Sequence, residues 1–178
     1  MEDAYKLVNS STVFEGAIIK VVHDTITLPN GKTALREIVR RADGACVLPI
    51  TQDKKLVLVR QYRHTMGSLV LEVPAGTLEP GETHLSCAKR ELEEETGYYS
   101  SNLQFLTKIC GSIGFCAELI HIYYATDLLP GKQNPDPEEF ISVEYYCLED
   151  AIQMIFDGRI ADAKTATAIL AYRELAKI

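Results

Sequence analysis

Apolar and polar positions along the chain follow two periods, and the switches between them mark out the elements. Ala45–Ile50 and Leu56–Val59 are unbroken apolar runs, the pattern of strands covered on both faces. Asp24-Thr25-Ile26-Thr27-Leu28 instead alternates polar with apolar, as a strand with one wet face does. Pro29-Asn30-Gly31-Lys32 then turns the chain into Thr33–Arg41, a hairpin signal. Ahead of it, Ser10–Val13 and Ala17–Val22 carry strand-forming residues, with a break at Phe14-Glu15-Gly16. Further strands are expected at Leu69–Val73, Leu103–Cys110, Ile120–Thr126 and Ile141–Cys147.

The helical period governs three other stretches. Pro80-Gly81 turns into a segment running from Glu82 to Thr96, which Gly97 stops; Leu85, Ala88 and Leu92 form its apolar stripe. Leu148–Phe156 is a second helix, closed by Asp157-Gly158. Asp162 can cap a third, striped by Ala166, Ile169, Leu170 and Leu175. Leu129–Glu139 is a long polar loop. Strands alternating with these helices predict an α/β sandwich over residues 44–178. Residues 1–43 form a β-sheet extension, too small to bury its own faces, which must lean on the rest of the chain or on a second copy.

Composition narrows the setting. A hydrophobic share of 47% with 24% charged residues is that of a soluble globule. The net charge of -7 opposes a nucleic-acid partner. No apolar run is long enough for a bilayer, and Met-Glu-Asp-Ala-Tyr-Lys at the start lacks a signal peptide's apolar stretch, so a cytoplasmic protein without a membrane partner is expected. Five cysteines without a C-x-x-C pair read as reduced core thiols. Arg36, Arg40 and Arg41 stand out in an acidic chain, and Arg40 and Arg41 are expected on solvated strand faces.

The chemistry concentrates in the first helix. At about 100° per residue, Glu91, Glu94 and Glu95 share one sector while Glu93 points away. Carboxylates so placed repel one another. A hard divalent cation such as Mg²⁺, which takes carboxylate oxygens, water and substrate phosphates, would relieve them. A merely solvated glutamate-rich face is the alternative. The spacing favours the cation, because Gly76, Glu82, Arg90, Glu91, Leu92, Glu94, Glu95 and Gly97 all fit G-x5-E-x7-R-E-U-x-E-E-x-G-U, with only Tyr98 departing from an aliphatic last position.

This stretch resembles the Nudix box, and the resemblance implies a Nudix-type α/β/α sandwich with a mixed sheet. It also implies Mg²⁺-dependent attack of water on a nucleoside diphosphate linked to another group, with Mn²⁺ able to substitute. Glu91, Glu95 and the backbone carbonyl of Ala75 would hold the ion, with Glu94 a further ligand or a partner of Arg90, and Glu82 reaching it through water. Arg60-Gln61-Tyr62-Arg63-His64, Leu71-Glu72-Val73-Pro74-Ala75-Gly76 and the early hairpin resemble the ADP-ribose pyrophosphatase branch, which includes enzymes for other nucleoside diphosphate sugars. In that branch the arginine matching Arg63 contacts the diphosphate; Arg60 either joins it or makes a surface ion pair. The N-terminal strands of that branch build a homodimer, so residues 1–43 would serve dimerisation. There Arg36 would stack on the base in the partner's site, with Phe14 a weaker candidate for the other side. The late loop supplies a metal ligand and the candidate base, here Glu139, with Glu138 the alternative because Pro137 stands where a second glutamate is often seen. Ile113 replaces a proline common in ADP-ribose enzymes, leaving room for GDP-mannose or UDP-sugars. Two other functions are conceivable for such a chain. Nucleoside triphosphate or dinucleoside polyphosphate hydrolysis sits poorly with the hairpin and Arg-Gln-Tyr-Arg. A catalytically inactive ligand sensor sits poorly with a complete set of box glutamates.

Overall fold

The computed structural model describes residues 4–176 in two compact units, one reaching to Asp43 and including Cys110–Leu119, the other made of Gly44–Ile109 and the chain from Ile120 onward.

In the first unit, β1 (Lys6–Glu15), β2 (Lys20–Thr27) and β3 (Thr33–Arg40) form an antiparallel meander with β2 in the middle. The hairpin at Pro29–Lys32 closes as expected: Gly31 takes φ 78°, which glycine adopts without a Cβ clash, and Leu28 N–H donates to Lys32 O at 2.7 Å. The earlier break differs from expectation. Phe14 and Glu15 stay in β1, the turn over Gly16–Ile19 is closed by Gly16 N–H to Ile19 O at 2.9 Å, and the two strands expected over Ala17–Val22 and Asp24–Leu28 become the one strand Lys20–Thr27. The long β1 ladder holds β2 continuous through His23. Arg40 and Arg41 are not merely solvated: they pair with Asp24 at 3.0 Å and Glu118 at 3.2 Å. Segment Cys110–Leu119 joins this unit through Val39, whose N–H donates to Phe115 O at 2.7 Å and whose carbonyl accepts from Ala117 at 3.1 Å.

The second unit holds two main sheets and a small antiparallel pair, β8 (Tyr98–Tyr99) with β11 (Leu129–Pro130). In one, β7 (Ala75–Thr77), β4 (Gly44–Pro49), β10 (Ile120–Thr126) and β9 (Asn102–Ile109) lie in that order, with β4 and β10 parallel and the other pairs antiparallel. In the other, β5 (Leu56–Arg63) is flanked by β6 (Ser68–Glu72) and β12 (Ser142–Tyr146), all antiparallel. The unbroken apolar run of β4 has its reason here. Ala45 and Val47 pack with Cys87, Ala88 and Leu92 of α1 (His84–Thr96). Cys46 and Leu48 pack on the opposite side with residues of α2 (Leu148–Phe156) and α3 (Ala163–Ala176). Helices therefore cover both sides of the sheets, an α/β/α sandwich, and each large side chain buried between layers contributes about 1.5–3 kcal/mol.

Three expectations about packing are corrected. Leu85, in the first turn of α1, is 39% exposed, and Cys87 takes its place in the buried stripe. Leu175 is exposed near the end of α3, whose buried residues are Thr165, Ala168 and Ile169. Only Cys46 and Cys87 are buried thiols, both pushed up to about 12 by burial, whereas Cys147 is exposed at the N-cap of α2. Among the described residues no helix is long and apolar enough to cross a membrane.

Candidate active site

The site grows from the helix α1 and the strands that lead into it. The helix begins two residues later than Glu82: Thr83 is the N-cap, its hydroxyl accepting from Ser86 N–H at 3.1 Å. Gly97 ends it in the left-handed conformation at φ 72°, its N–H donating to Glu93 O at 2.8 Å. Between these caps, the inward sector carries Glu91 and Glu95 into the protein, where they are 8% and 2% exposed.

Glycine at position 76 is a requirement of this packing. A Cβ there would lie 1.6 Å from Glu91 Oε1, so the Glu91 carboxylate rests directly over the backbone that precedes the helix. Beside it, Ala75 N–H donates to Glu95 Oε2 at 3.2 Å. Ala75, Glu91 and Glu95 are thus brought together. Burial pushes the Glu91 carboxyl up to about 7, aided by the charges of Glu94 and Glu139 and opposed by Arg90. Burial and then the charges of Glu91 and Glu139 push Glu95 up to about 8. Two acids so perturbed by burial and by neighbouring carboxylates mark a site that wants an added positive charge.

Arg90 supplies only part of it. Its guanidinium donates to Glu82 at 3.0 and 3.1 Å, to Glu91 at 2.6 Å, to Glu94 at 3.0 Å and to Thr77 O at 3.2 Å. Glu94, half-buried, is therefore the partner of Arg90, and Glu82 stands just outside the helix as a second anchor for the same group. One cation shared by three carboxylates leaves the cluster net negative. Among the described residues no three acidic, histidine or cysteine side chains by themselves form a cage for a metal ion. The donors nevertheless suit a hard divalent cation: all are oxygen, two are buried carboxylates, and the glycine cradle leaves them room.

The late polar loop is pinned to the C-terminal end of α1. Gln133 Nε2 donates to Glu95 O at 2.7 Å, Asn134 N–H to Glu94 O at 2.9 Å, and Gly131 N–H to Gly97 O at 2.6 Å. This course brings Glu139 to the carboxylates, where it accepts from Gln61 Nε2 at 3.2 Å and its charge raises both Glu91 and Glu95. Glu138, its neighbour, points its exposure to solvent instead.

The two arginines of β5 part company, since residues three apart on a strand emerge on opposite faces. Arg63 shares a face with Gln61; it donates through Nε at 2.6 Å and Nη2 at 3.1 Å to Glu72, and the charges of Glu95 and Glu139 act on it. Arg60 pairs with Glu144 at 2.5 and 3.0 Å, an acceptor that also takes the Tyr146 hydroxyl. In the first unit Arg36 lines an open pocket of about 690 Å³ with Leu35, Val39, Gly114 and Phe115. Phe14 is exposed on β1, opposite Val21.

Sequence reasoning gave no role to Glu72, Gln61 or Lys164. Glu72 is 3% exposed and Gln61 7%, and a charged or amide side chain buried that deeply beside an arginine fork is a built feature. Alternation along β5 places Gln61 with Arg63, so Gln61 was within reach of pattern reasoning; Lys164 was not.

Comparison with known proteins agrees over nearly the whole chain. Residues 40–168 match the NUDIX domain, and residues 5–39 match the nucleoside diphosphate sugar hydrolase N-terminal domain. The chain is 40% identical over 167 residues to the methanol dehydrogenase activator of Bacillus methanolicus, covering 92% of this chain and 90% of that protein. It is 39% identical over 166 residues to the ADP-ribose pyrophosphatase of Bacillus subtilis, with the same coverage of 92% and 90%. In three dimensions it matches the crystal structure of an ADP compounds hydrolase with a TM-score of 0.87 at 26% identity, over 97% of this chain and 94% of that one.

Proposed function

The chain belongs to the NUDIX family of pyrophosphohydrolases, and from that premise we propose that it hydrolyses the pyrophosphate bond of a nucleoside diphosphate sugar, releasing a nucleoside monophosphate and a sugar phosphate. The observation that carries the reading is the convergence of two buried carboxylates, Glu91 and Glu95, with an arginine fork, Arg63, and a loop carboxylate, Glu139. A diphosphate resists hydrolysis because its oxygens repel an incoming nucleophile and its phosphate leaves poorly. Positive charge on those oxygens and a base for the water are what the reaction lacks in solution.

Nudix hydrolases generally use a divalent metal, and Mg²⁺ is the ion proposed here, with Mn²⁺ as substitute; it would supply the charge that neutralises the diphosphate oxygens. Glu91, Glu95 and Ala75 would hold it. Arg90 keeps Glu91 and Glu94 in place from outside the site, through a guanidinium whose own pKa is raised by its carboxylate partners. Arg63 binds the diphosphate with the donors that Glu72 leaves free, a task suited to a planar fork. Glu139 takes the proton of the attacking water, and Gln61 holds its other side.

A panel of ADP-ribose, GDP-mannose, UDP-glucose and deoxynucleoside triphosphates, assayed with Mg²⁺, tests the substrate class. At least one diphosphate sugar is expected to exceed every triphosphate in kcat/KM. A triphosphate at the top of the ranking would move the protein to another branch, and no turnover of any compound would make it a binding protein.

We also infer a homodimer formed through the N-terminal sheet. β1 is an edge strand with every residue exposed, Leu7, Val8, Val13 and Phe14 among them, and an apolar edge of that length invites a partner. Sedimentation should give twice the chain mass, and Val13→Lys with Leu7→Asp should shift it to the monomer. A wild-type monomer at micromolar concentration would refute the assignment.

A further inference from the structure

Behind Arg63 lies a second buried cation that none of the proposed chemistry uses. Lys164, in the first turn of α3, places Nζ on Glu72 Oε2 and on Asp162 Oδ2, the latter at 3.0 Å. Its side chain is 12% exposed and that of Glu72 5%. The lysine cannot swing freely, because its neighbours stitch the start of α3 to the strand that carries Glu72. Asp162 Oδ2 accepts from Thr165 N–H at 3.0 Å and from the Thr165 hydroxyl at 2.5 Å, and Val73 N–H donates to Thr165 Oγ1 at 2.8 Å.

The arrangement exceeds what Glu72 needs for itself. A bidentate arginine is already a complete partner for one carboxylate, and burying an ammonium beside it carries a desolvation cost that a purely structural pair would avoid. Burial raises the Glu72 carboxyl, but Arg63 and Lys164 together hold it below its ordinary value, so it stays ionised between two cations. Glu72 is shared between Arg63 and Lys164, and Lys164 is shared in turn with Asp162, so two cations and two carboxylates balance across the group and fix one another's places. Arg63 meanwhile spends two of its five N–H donors, on Nε and Nη2, and the rest remain for an anion on the side where Glu95 and Glu139 act on it.

We infer that Lys164 is a positioning residue for diphosphate binding: it braces Glu72 from behind, which keeps Arg63 aimed at the carboxylate site with N–H donors to spare. The inference rests on Arg63 contacting the diphosphate, as set out above. It makes the start of α3 part of the substrate-binding machinery, although Lys164 itself touches no substrate.

The test is a mutant cycle of Lys164→Met, Arg63→Ala and the double variant, read as KM and kcat separately on the best diphosphate sugar of the panel, with thermal melts to show that each protein folds. Lys164→Met is expected to raise KM about tenfold and leave kcat within about threefold, the mark of lost binding rather than lost chemistry. Arg63→Ala should raise KM by about a hundredfold, and the double variant should match Arg63→Ala alone, because Lys164 acts only through that residue. Lys164→Arg, which keeps the charge, should restore KM to within about threefold of wild type. Should Lys164→Met fail to fold, Lys164→Met with Asp162→Asn removes the stranded carboxylate as well and carries the same expectations. An unchanged KM in Lys164→Met, or in Lys164→Met with Asp162→Asn where the single variant fails to fold, overturns the inference, and so does a Lys164→Met, Arg63→Ala double variant whose KM is the product of the two single effects. An unchanged KM in Arg63→Ala instead overturns the assignment of Arg63 on which it stands.

Discussion

Glu91→Gln and Glu95→Gln are each expected to lose far more activity than the roughly 10–100-fold that changes outside a metal's own ligands cost, while melting higher than wild type without metal at neutral pH. The two halves of this expectation share one cause. Both carboxyls sit above their ordinary value of 4.5, at about 7 and about 8, because burial, and then the charges of neighbouring carboxylates, penalise the ionised form. A folded-state value above the unfolded one means that the stability these groups contribute is fully present below pH 4.5 and is lost as pH rises through about 7 and 8. The metal-free protein should therefore lose melting temperature between pH 5 and pH 8. A divalent cation should reverse the trend, since it binds the ionised form and binds more tightly as pH rises. Glutamine keeps the shape, keeps an acceptor for Ala75 N–H and carries no charge, so either variant should flatten the metal-free pH profile. Each kcal/mol recovered would appear as about 2–4 °C in a domain of this size. Melting curves across that pH range, with EDTA and with Mg²⁺, check the stability half, and steady-state turnover checks the other. A wild-type profile that is flat in EDTA, together with variants that turn over normally, would place the ion elsewhere.

Glu139→Gln is expected to lower kcat by about 10²–10⁴ with little change in KM, the range that loss of a general base covers. Glu138→Gln should stay within a few-fold of wild type. The two neighbours differ in placement: Glu139 is tied to buried Gln61 beside the box carboxylates, while Glu138 is exposed. The loop that carries them is held at three points on the end of α1, through Gly131, Gln133 and Asn134, so its course is anchored before substrate arrives. A base on such a loop needs little reordering to reach a water over Glu91 and Glu95. Pre-steady-state turnover of the two variants separates loss of chemistry from slow product release. Equal, mild effects would mean that both glutamates only solvate the loop. Loss in Glu138→Gln alone would mean that the loop closes one residue out of step with its resting course.

What could be read from the chain itself was whatever depends on neighbours in sequence. The apolar runs at 45–50 and 56–59 announce strands covered on both sides, because burial of each face is written into consecutive positions. The helix at 84–96, its glycine stop and the shared sector of Glu91 and Glu95 follow from a 3.6-residue period that needs no knowledge of the fold. That spacing, with Gly76 and Arg90 in register, also carried the family.

Tertiary structure decided the rest, wherever two residues far apart in sequence compete for one place. Leu85 has the period of a core residue, but it is exposed in the first turn of α1, and Cys87 packs with Ala45 and Val47 instead. Arg60 and Arg63 look alike on the strand; Glu144 captures one and Glu72 the other, each according to the face of β5 on which it emerges. Segment Cys110–Leu119 joins the N-terminal unit because its backbone pairs with Val39, a partner no local pattern names. Lys164 and Glu72 meet across 92 positions, and the bracing of Arg63's carboxylate partner depends on that meeting. Periodicity determines which face of an element is buried, since that is a property of one element. Which charge answers which is settled only when the layers close and each buried ion has to find its counter-charge within hydrogen-bond reach.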